Sequence, residues 1–380
     1  MVTVAVTPET DGETRAAVTP ETVKKLVGLG CAVRVVTATG LGSSIADAAY
    51  TAAGATITST AAEAVSGADF LLKVRRPSPA DLEGLKPGAS VIAMLSPHDD
   101  RPALDALART GAALFAMEFM PRISRAQSMD VLSSQANLAG YKAVIDGAGL
   151  LPQAIPMMMT AAGTVPAAKI FIMGVGVAGL QAIATARRLG AIVTATDVRP
   201  ATKEQVASLG AKFIAVEDDE FKQAQTAAGY AKPMSAAYQA KQADLVAGHI
   251  KTQDIVSTPA LIPGRPAPRL VTAAMVAAMK PGAAIIDLAA ERGGNCELTK
   301  PGRLIEEHGV QIWGPLNLAG TLPVNATALY ARNLYNFLET MFDKKTKALS
   351  LNWDDDIIKG TLVARGGEVV HPVLAAKKEA

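Results

Sequence analysis

Three glycines, Gly174, Gly176 and Gly179, stand between an apolar run at 170–173 and a helix-forming stretch, and their spacing implies the binding of a dinucleotide pyrophosphate. The first allows a tight strand-to-helix turn, the second lets backbone amides approach the phosphates, and the third lets helix and strand pack closely. A helix start adds unpaired N–H groups and the positive end of its dipole. Gly190 closes the helix, 191–196 reads as a second strand, and Asp197 ends that strand, about twenty residues beyond the motif. Its carboxylate can accept from both ribose hydroxyls and would repel a 2′-phosphate, so the pattern favours NAD over NADP. Arg199, two residues later, is discordant with that preference.

The elements that must hold this turn are those of a globular chain. The stretch 170–186 is almost wholly apolar, but three glycines, Arg187-Arg188 directly after it, and a length short of the ~20 residues of a bilayer span argue against a membrane helix. The N-terminus has no basic region followed by an apolar core, so no secretory signal is expected. The 380 residues exceed one compact core, and an Ala- and Gly-rich chain with few aromatics suits close helix-sheet packing. A net charge of +2 without a basic helical face gives no footprint for nucleic acid. Cys31 and Cys296 form no disulfide framework and no metal-ligand cluster, and read as small buried hydrophobes in a reducing cytoplasm.

The first third of the chain repeats the grammar of the second without a glycine triplet. Thr19-Pro20 opens a helix with proline in its tolerated first position, Leu29-Gly30 ends it, and Cys31–Val36 is a strand. Leu85-Lys86-Pro87-Gly88 before VIAML echoes Met279-Lys280-Pro281-Gly282 before AIIDL, each read as a helix end, a Pro-Gly turn and a buried strand. The expected fold is α/β, two Rossmann-like doubly wound domains with a cleft between them. The first comprises 1–135 plus 325–380, and the second, binding NAD, comprises 136–324. A helix over 133–146 bridges them. A helix over 325–342 then returns to the first domain, which the last fifty or so residues complete, or else forms a C-terminal appendage.

A cleft between such domains is where a nicotinamide ring would be held. The segment 120–137 is unusually polar for a stretch between buried elements. Arg122, Gln127 and Asp130 could form a mutually bonded cluster able to hold a carboxamide and a ribose, or could belong to a solvated loop with incidental pairs.

At these residues the chain resembles a known family. PRISRAQSMDVLSSQANLAGYKAVIDGA, TAAGTVPAAKIFIMGVGVAGLQAIATARRLGA, ATDVRPATKEQV, GYAKPMS, ALIPGRPAP and IIDLAAERGGNC closely resemble the NAD(H)-binding component, domain I, of proton-translocating nicotinamide nucleotide transhydrogenase. The likeness extends over almost the whole chain. It implies hydride transfer between NAD(H) here and NADP(H) on a separate NADP(H)-binding beta subunit, coupled to proton movement through a membrane-spanning subunit. It further implies a homodimer, cytoplasmic and peripheral at the inner face of the cell membrane.

Position by position, Arg122, Gln127 and Asp130 match the polar loop beside the nicotinamide, and Ser133 the serine after it. Ile123, Ser124 and Arg125 should contact or support the cofactor. Val177 matches a residue packed on the dinucleotide, Asp197, Val198 and Arg199 the adenosine-ribose end, and Leu261 an apolar wall. Gly229 and Tyr230 match the tip of a mobile loop, which the long polar stretch 217–237 also suggests, though a plain surface loop would read alike.

Alanine dehydrogenase is the rival on the same architecture. Arg15 and Lys73 match that relative's substrate-binding pair, but its catalytic histidine is replaced at Met94-Leu95-Ser96, and its second acid by Glu291; His98 stands two residues off. Hydride transfer between two nicotinamides requires no protein acid or base. A non-catalytic NAD-binding sensor is a third reading. The chain departs from the family pattern at Thr7-Pro8-Glu9 and over 314–321.

Overall fold

The computed structural model describes residues 1–224, 232, 234–262, 264–343 and 345–375. The chain divides into two compact units, Met1–Gln135 with Gly320–Ala380, and Ala136–Ala319. Its strands in order are β1 Val2–Val6, β2 Cys31–Val36, β3 Thr56–Thr58, β4 Phe70–Leu72, β5 Ser90–Ala93, β6 Ala113–Ala116, β7 Met158–Thr160, β8 Gly163–Val165 and β9 Lys169–Met173. There follow β10 Ile192–Thr196, β11 Lys212–Phe213, β12 Ile255–Thr258, β13 Ala284–Asp287, β14 Leu304–Glu307, β15 Val310–Trp313, β16 Leu362–Arg365 and β17 Glu368–Val369.

In the first unit the sheet order is β17-β16-β6-β5-β4-β1-β2-β3, parallel from β6 to β3, with an antiparallel edge supplied by the C-terminal strands. Successive residues feed opposite faces: Val4, Val6, Phe70 and Leu72 enter one core, Ala5, Leu71 and Val91 the other. Strands buried on both faces are the hallmark of parallel sheets wrapped by helices. The helix Pro323–Glu339 places Tyr330, Leu334, Phe337 and Leu338 in the first of these cores. The C-terminal residues therefore complete the first unit's sheet and core.

The second unit has the order β11-β10-β9-β12-β13-β15-β14, parallel except for the edge hairpin β14–β15. Ile170 and Ile172 face one core, Phe171 and Met173 the other. The apolar stretch considered as a membrane span is β9 followed by the helix Val177–Arg188, and no helix among the described residues is long and apolar enough to cross a membrane. Each unit buries one cysteine, Cys31 4% and Cys296 0% exposed, and burial pushes both thiols up, that of Cys31 to about 11.

Some elements differ from their sequence reading. The bridging helix runs over Val131–Leu150, longer at both ends; at its start Asp130 accepts from Ser133 N and opens it early. The turn before β5 follows the 3₁₀ turn Pro79–Leu82 instead of an α-helix, with Ser78 and Asp81 closing a capping box on that single turn. Described residues at both ends of the stretch 217–237 are helical or bonded to a helix start. Asp218 caps a helical turn at Asp219–Lys222, and Glu220 accepts from Ser235 N and Oγ at the start of the helix Ala236–Ile250.

Candidate functional site

In the second unit, the three glycines carry three separate constraints. Gly174 has φ +124, a region that L side chains rarely adopt, and an added Cβ would lie 3.2 Å from Ala260 backbone atoms. At Gly179 a Cβ would fall 1.9 Å from the Gly174 carbonyl oxygen, so helix and turn touch through backbone alone. At Gly176 nothing lies within 4 Å of such a Cβ, leaving the approach to the turn open. Gly176 is also the N-cap of the helix Val177–Arg188 and supplies no side-chain cap. Twelve residues of aligned peptide dipoles thus begin at an uncapped end beside an open turn, an arrangement suited to a phosphate group.

Asp197 follows β10 and is held in place on all sides. Its Oδ2 accepts from Val175 N at 2.8 Å and Arg199 Nη2 at 2.9 Å, while Oδ1 accepts from Arg199 N and Nε, both at 2.9 Å. Arg199 Nη2 also donates to the Val175 carbonyl at 3.2 Å. The sequence pattern implies a carboxylate facing ribose alone, with Arg199 as a discordant neighbour. The structure instead pairs the two, and this hydrogen bonding raises the already high guanidinium pKa further. Val177, Val198 and Leu261 all expose apolar side chains in this unit. Gly229 and Tyr230 lie outside the described residues.

The loop carrying Leu261 is staked from below by residues that sequence reasoning passed over. Asn295, fully buried, accepts from Ala260 N at 3.2 Å and donates to the carbonyls of Ala260 and Pro268 at 2.9 and 2.8 Å. Buried Asp287 accepts from Thr258 Oγ1, Ala289 N, Cys296 N and Thr299 Oγ1. Through Ala260 this network reaches the backbone against which Gly174 packs. The only sequence signal was the polar pair inside IIDLAAERGGNC.

In the first unit, the polar loop forms the 3₁₀ turn Ser124–Met129. Asp130 accepts from Ser133 N at 2.9 Å and from Ser133 Oγ at 2.5 Å, which caps the first turn of the helix Val131–Leu150. Arg122, Ile123, Ser124 and Gln127 are exposed. Arg125 forms a two-pronged bond with Asp355 at 2.6 and 2.9 Å and braces the loop. The helix Pro323–Glu339 pins it from the other side: Asn333 and Asn336 donate to the Ser128 carbonyl, and Asn333 Oδ1 accepts from Ser134.

The carboxyl ends of β1 and β4 carry a buried charge cluster. Arg15, 3% exposed, gives Nε and Nη2 to the two oxygens of Glu13 at 2.7 and 2.6 Å, and Nη1 to Gln135 at 2.8 Å. Arg75 donates to Glu13 at 2.8 Å. Lys73, 4% exposed, bonds the Pro8 carbonyl and lies 3.5 Å from Glu9, which also accepts from Val74 N and Arg75 N. Burial works against ionisation of Glu13, but the hydrogen bonds and charge of Arg15 outweigh it and hold the carboxyl at about 2. For Glu9, burial wins over Lys73 and the two amides, leaving that carboxyl above its ordinary value. The two basic residues matched to a substrate pair are thus already taken by the chain's own carboxylates. His98 packs edge-on against Phe119 at 5.3 Å, and Glu291 accepts from Asn317 N.

Two family matches span nearly the whole chain. Residues 5–139 match the domain described as alanine dehydrogenase/PNT, N-terminal, and residues 143–372 its C-terminal counterpart. The chain is 55% identical over 372 residues to the first portion of the NAD(P) transhydrogenase subunit alpha of Rhodospirillum rubrum, covering 96% of this chain and 97% of that one. The crystal structure of transhydrogenase from Sinorhizobium meliloti matches with a TM-score of 0.88 at 57% identity, over 97% of this chain and 100% of that chain. An L-alanine dehydrogenase structure matches at 0.79 and 24% identity, over 99% and 98% of the two chains, which shows a shared fold.

Proposed function

The chain belongs to the alanine dehydrogenase/PNT family, and from that premise we propose that it is the NAD(H)-binding component of a proton-translocating transhydrogenase. In this reading, hydride passes directly between NAD(H) on this chain and NADP(H) on a partner beta subunit, and a membrane-spanning subunit couples the transfer to proton movement. The chain acts only with those subunits, as a homodimer at the cytoplasmic face of the membrane. Two transhydrogenase relatives at 55 and 57% identity over nearly full length support it.

The observation that carries the reading is the turn Gly174–Gly179, open at Gly176 where the helix Val177–Arg188 begins without a side-chain cap, an end suited to a pyrophosphate. Asp197 and Val198 are assigned to the adenosine ribose, and Val177 and Leu261 to apolar contact with the nucleotide. Arg122, Gln127, Asp130 and Ser133 are assigned to the nicotinamide end, where Ile123, Ser124 and Arg125 contact or support it. Gly229 and Tyr230 are assigned to closure over the nucleotide. The dihydronicotinamide supplies the hydride, so the chain's residues need only align, exclude water and hold polarity.

Internal pairing of Arg15 and Lys73 speaks against alanine dehydrogenase activity, because a 2-oxo acid would have to displace Glu13 or Glu9 from a buried site. The test is hydride exchange between NADH and an NAD analogue in the presence of the NADP(H)-binding subunit. Exchange is expected, with no NADH consumption when pyruvate and ammonium are added to the isolated chain. Intact NADH binding without exchange would make the chain a sensor module, and turnover with pyruvate would make it a dehydrogenase.

A further inference from the structure

We infer that Arg199 is a latent receptor for a ribose 2′-phosphate, held out of use by Asp197, so that this pair sets the coenzyme choice of the second unit. The inference rests on the reading of that unit as a dinucleotide site.

All four acceptor positions of the Asp197 carboxylate are filled by the chain itself, three of them by Arg199 and one by Val175 N. A lone carboxylate at a strand end accepts from ribose hydroxyls and repels a phosphate, whereas a guanidinium there does the reverse. Here both groups occupy the position, two residues apart, and their charges cancel. The burial is unequal: the Asp197 side chain is 8% exposed and that of Arg199 30%. The carboxylate lies underneath, fixed to the glycine turn, and the cation keeps a face toward solvent.

Arg199 has a second anchor in the Val175 carbonyl. Loss of the Asp197 charge would therefore leave the guanidinium beside the turn with donors to spare, ready to bind a dianionic phosphate in a two-pronged manner. With Asp197 intact, an incoming 2′-phosphate must compete with a carboxylate that is covalently close and already aligned, while ribose hydroxyls need only share its oxygens.

The experiment titrates NADH and NADPH, by nucleotide fluorescence, into the wild-type chain, Asp197→Asn, Arg199→Ala and the double variant, with circular dichroism as the control for folding. Asp197→Asn keeps an oxygen for the Val175 amide. It should bind NADPH about tenfold more tightly than wild type and NADH about tenfold more weakly, the worth of one charge-assisted hydrogen bond. The double variant should lose the NADPH gain. Arg199→Ala alone should widen the preference for NADH over NADPH, because the bared carboxylate repels phosphate more strongly.

A folded Asp197→Asn chain that gains no NADPH affinity, or a double variant that gains as much as the single one, would overturn the inference. If Asp197→Asn does not fold, a narrower preference in Arg199→Ala overturns it instead. Wild-type protein that binds no NADH would sink the reading of the site itself, an outcome distinguishable from these.

Discussion

The two units solve the same topological problem in opposite ways. In each, strand order reverses around the first strand: β2 and β3 lie on one side of β1 and β4 on the other, as β10 and β11 flank β9 against β12. Open parallel sheets bind ligands outside the carboxyl ends of their strands at such a reversal. In the second unit, the turn after β9 carries three glycines, leaves space around Gly176 and runs into a helix that has no side-chain cap. In the first, the residues after β1 bring Glu9, Glu13 and Arg15 against Lys73 and Arg75 at the end of β4, and the charges close on one another. The fold supplies the crevice twice, and a handful of residues decides whether it receives a ligand.

The sharpest break of this contrast is Gly179→Ala. Its Cβ would sit 1.9 Å from a backbone oxygen that no side-chain motion can relieve, and the expected loss exceeds about 4 kcal/mol, read by thermal melting. An unchanged melting curve would mean that the open turn is not built by backbone contact. Next, Glu13→Ala leaves buried Arg15 without its carboxylate and should cost about 3–5 kcal/mol in denaturant titrations; a loss under about 1 kcal/mol would show the first crevice to be wetter than it looks.

Acid should probe the same pair without mutation. Glu13 ionises at about 2 in the folded chain against 4.5 for the free group, so its contribution is fully present above pH 4.5 and lost as pH falls from there toward 2. The gap corresponds to about 3 kcal/mol. Glu9, raised by burial, acts in the opposite sense, losing its contribution as pH rises through its folded value. Stability of Glu13→Gln should be flatter between pH 4.5 and 2 than that of wild type, and parallel curves would remove Glu13 from the account.

The smallest effects concern binding and alignment. Gly176→Ala meets no atom within 4 Å, so melting should hold while NADH affinity falls about tenfold, because the added methyl would stand in the space through which the phosphates approach the backbone. Tight NADH binding by this variant would move the phosphates elsewhere. Asp130→Asn should slow hydride exchange about tenfold while weakening NADH binding far less, as expected of a positioning residue; equal losses in both would contradict that role.

What the sequence disclosed and what it hid follow from the range of each interaction. The glycine turn was legible because each glycine answers a local backbone demand, and the strands because their residues alternate between two cores. The partners of polar side chains were not. Asn295 bonds Ala260 across 35 positions, and Asn333 reaches Ser128 across 205. Even a neighbour misled: Arg199 lies two residues from Asp197, but which way a long side chain folds depends on the burial around it. Thr7-Pro8-Glu9, a departure from the family pattern near the chain's start, supplies a buried carboxylate.

The two cysteines, one sealed in each unit and both poor thiolates, make the protein its own labelling experiment. A thiol reagent should be silent toward the native chain and react only as each core opens. Peptide mapping of the modified Cys31 and Cys296 would then time the opening of the sealed-crevice unit and of the open-crevice unit separately, in a single tube and with no substitution at all.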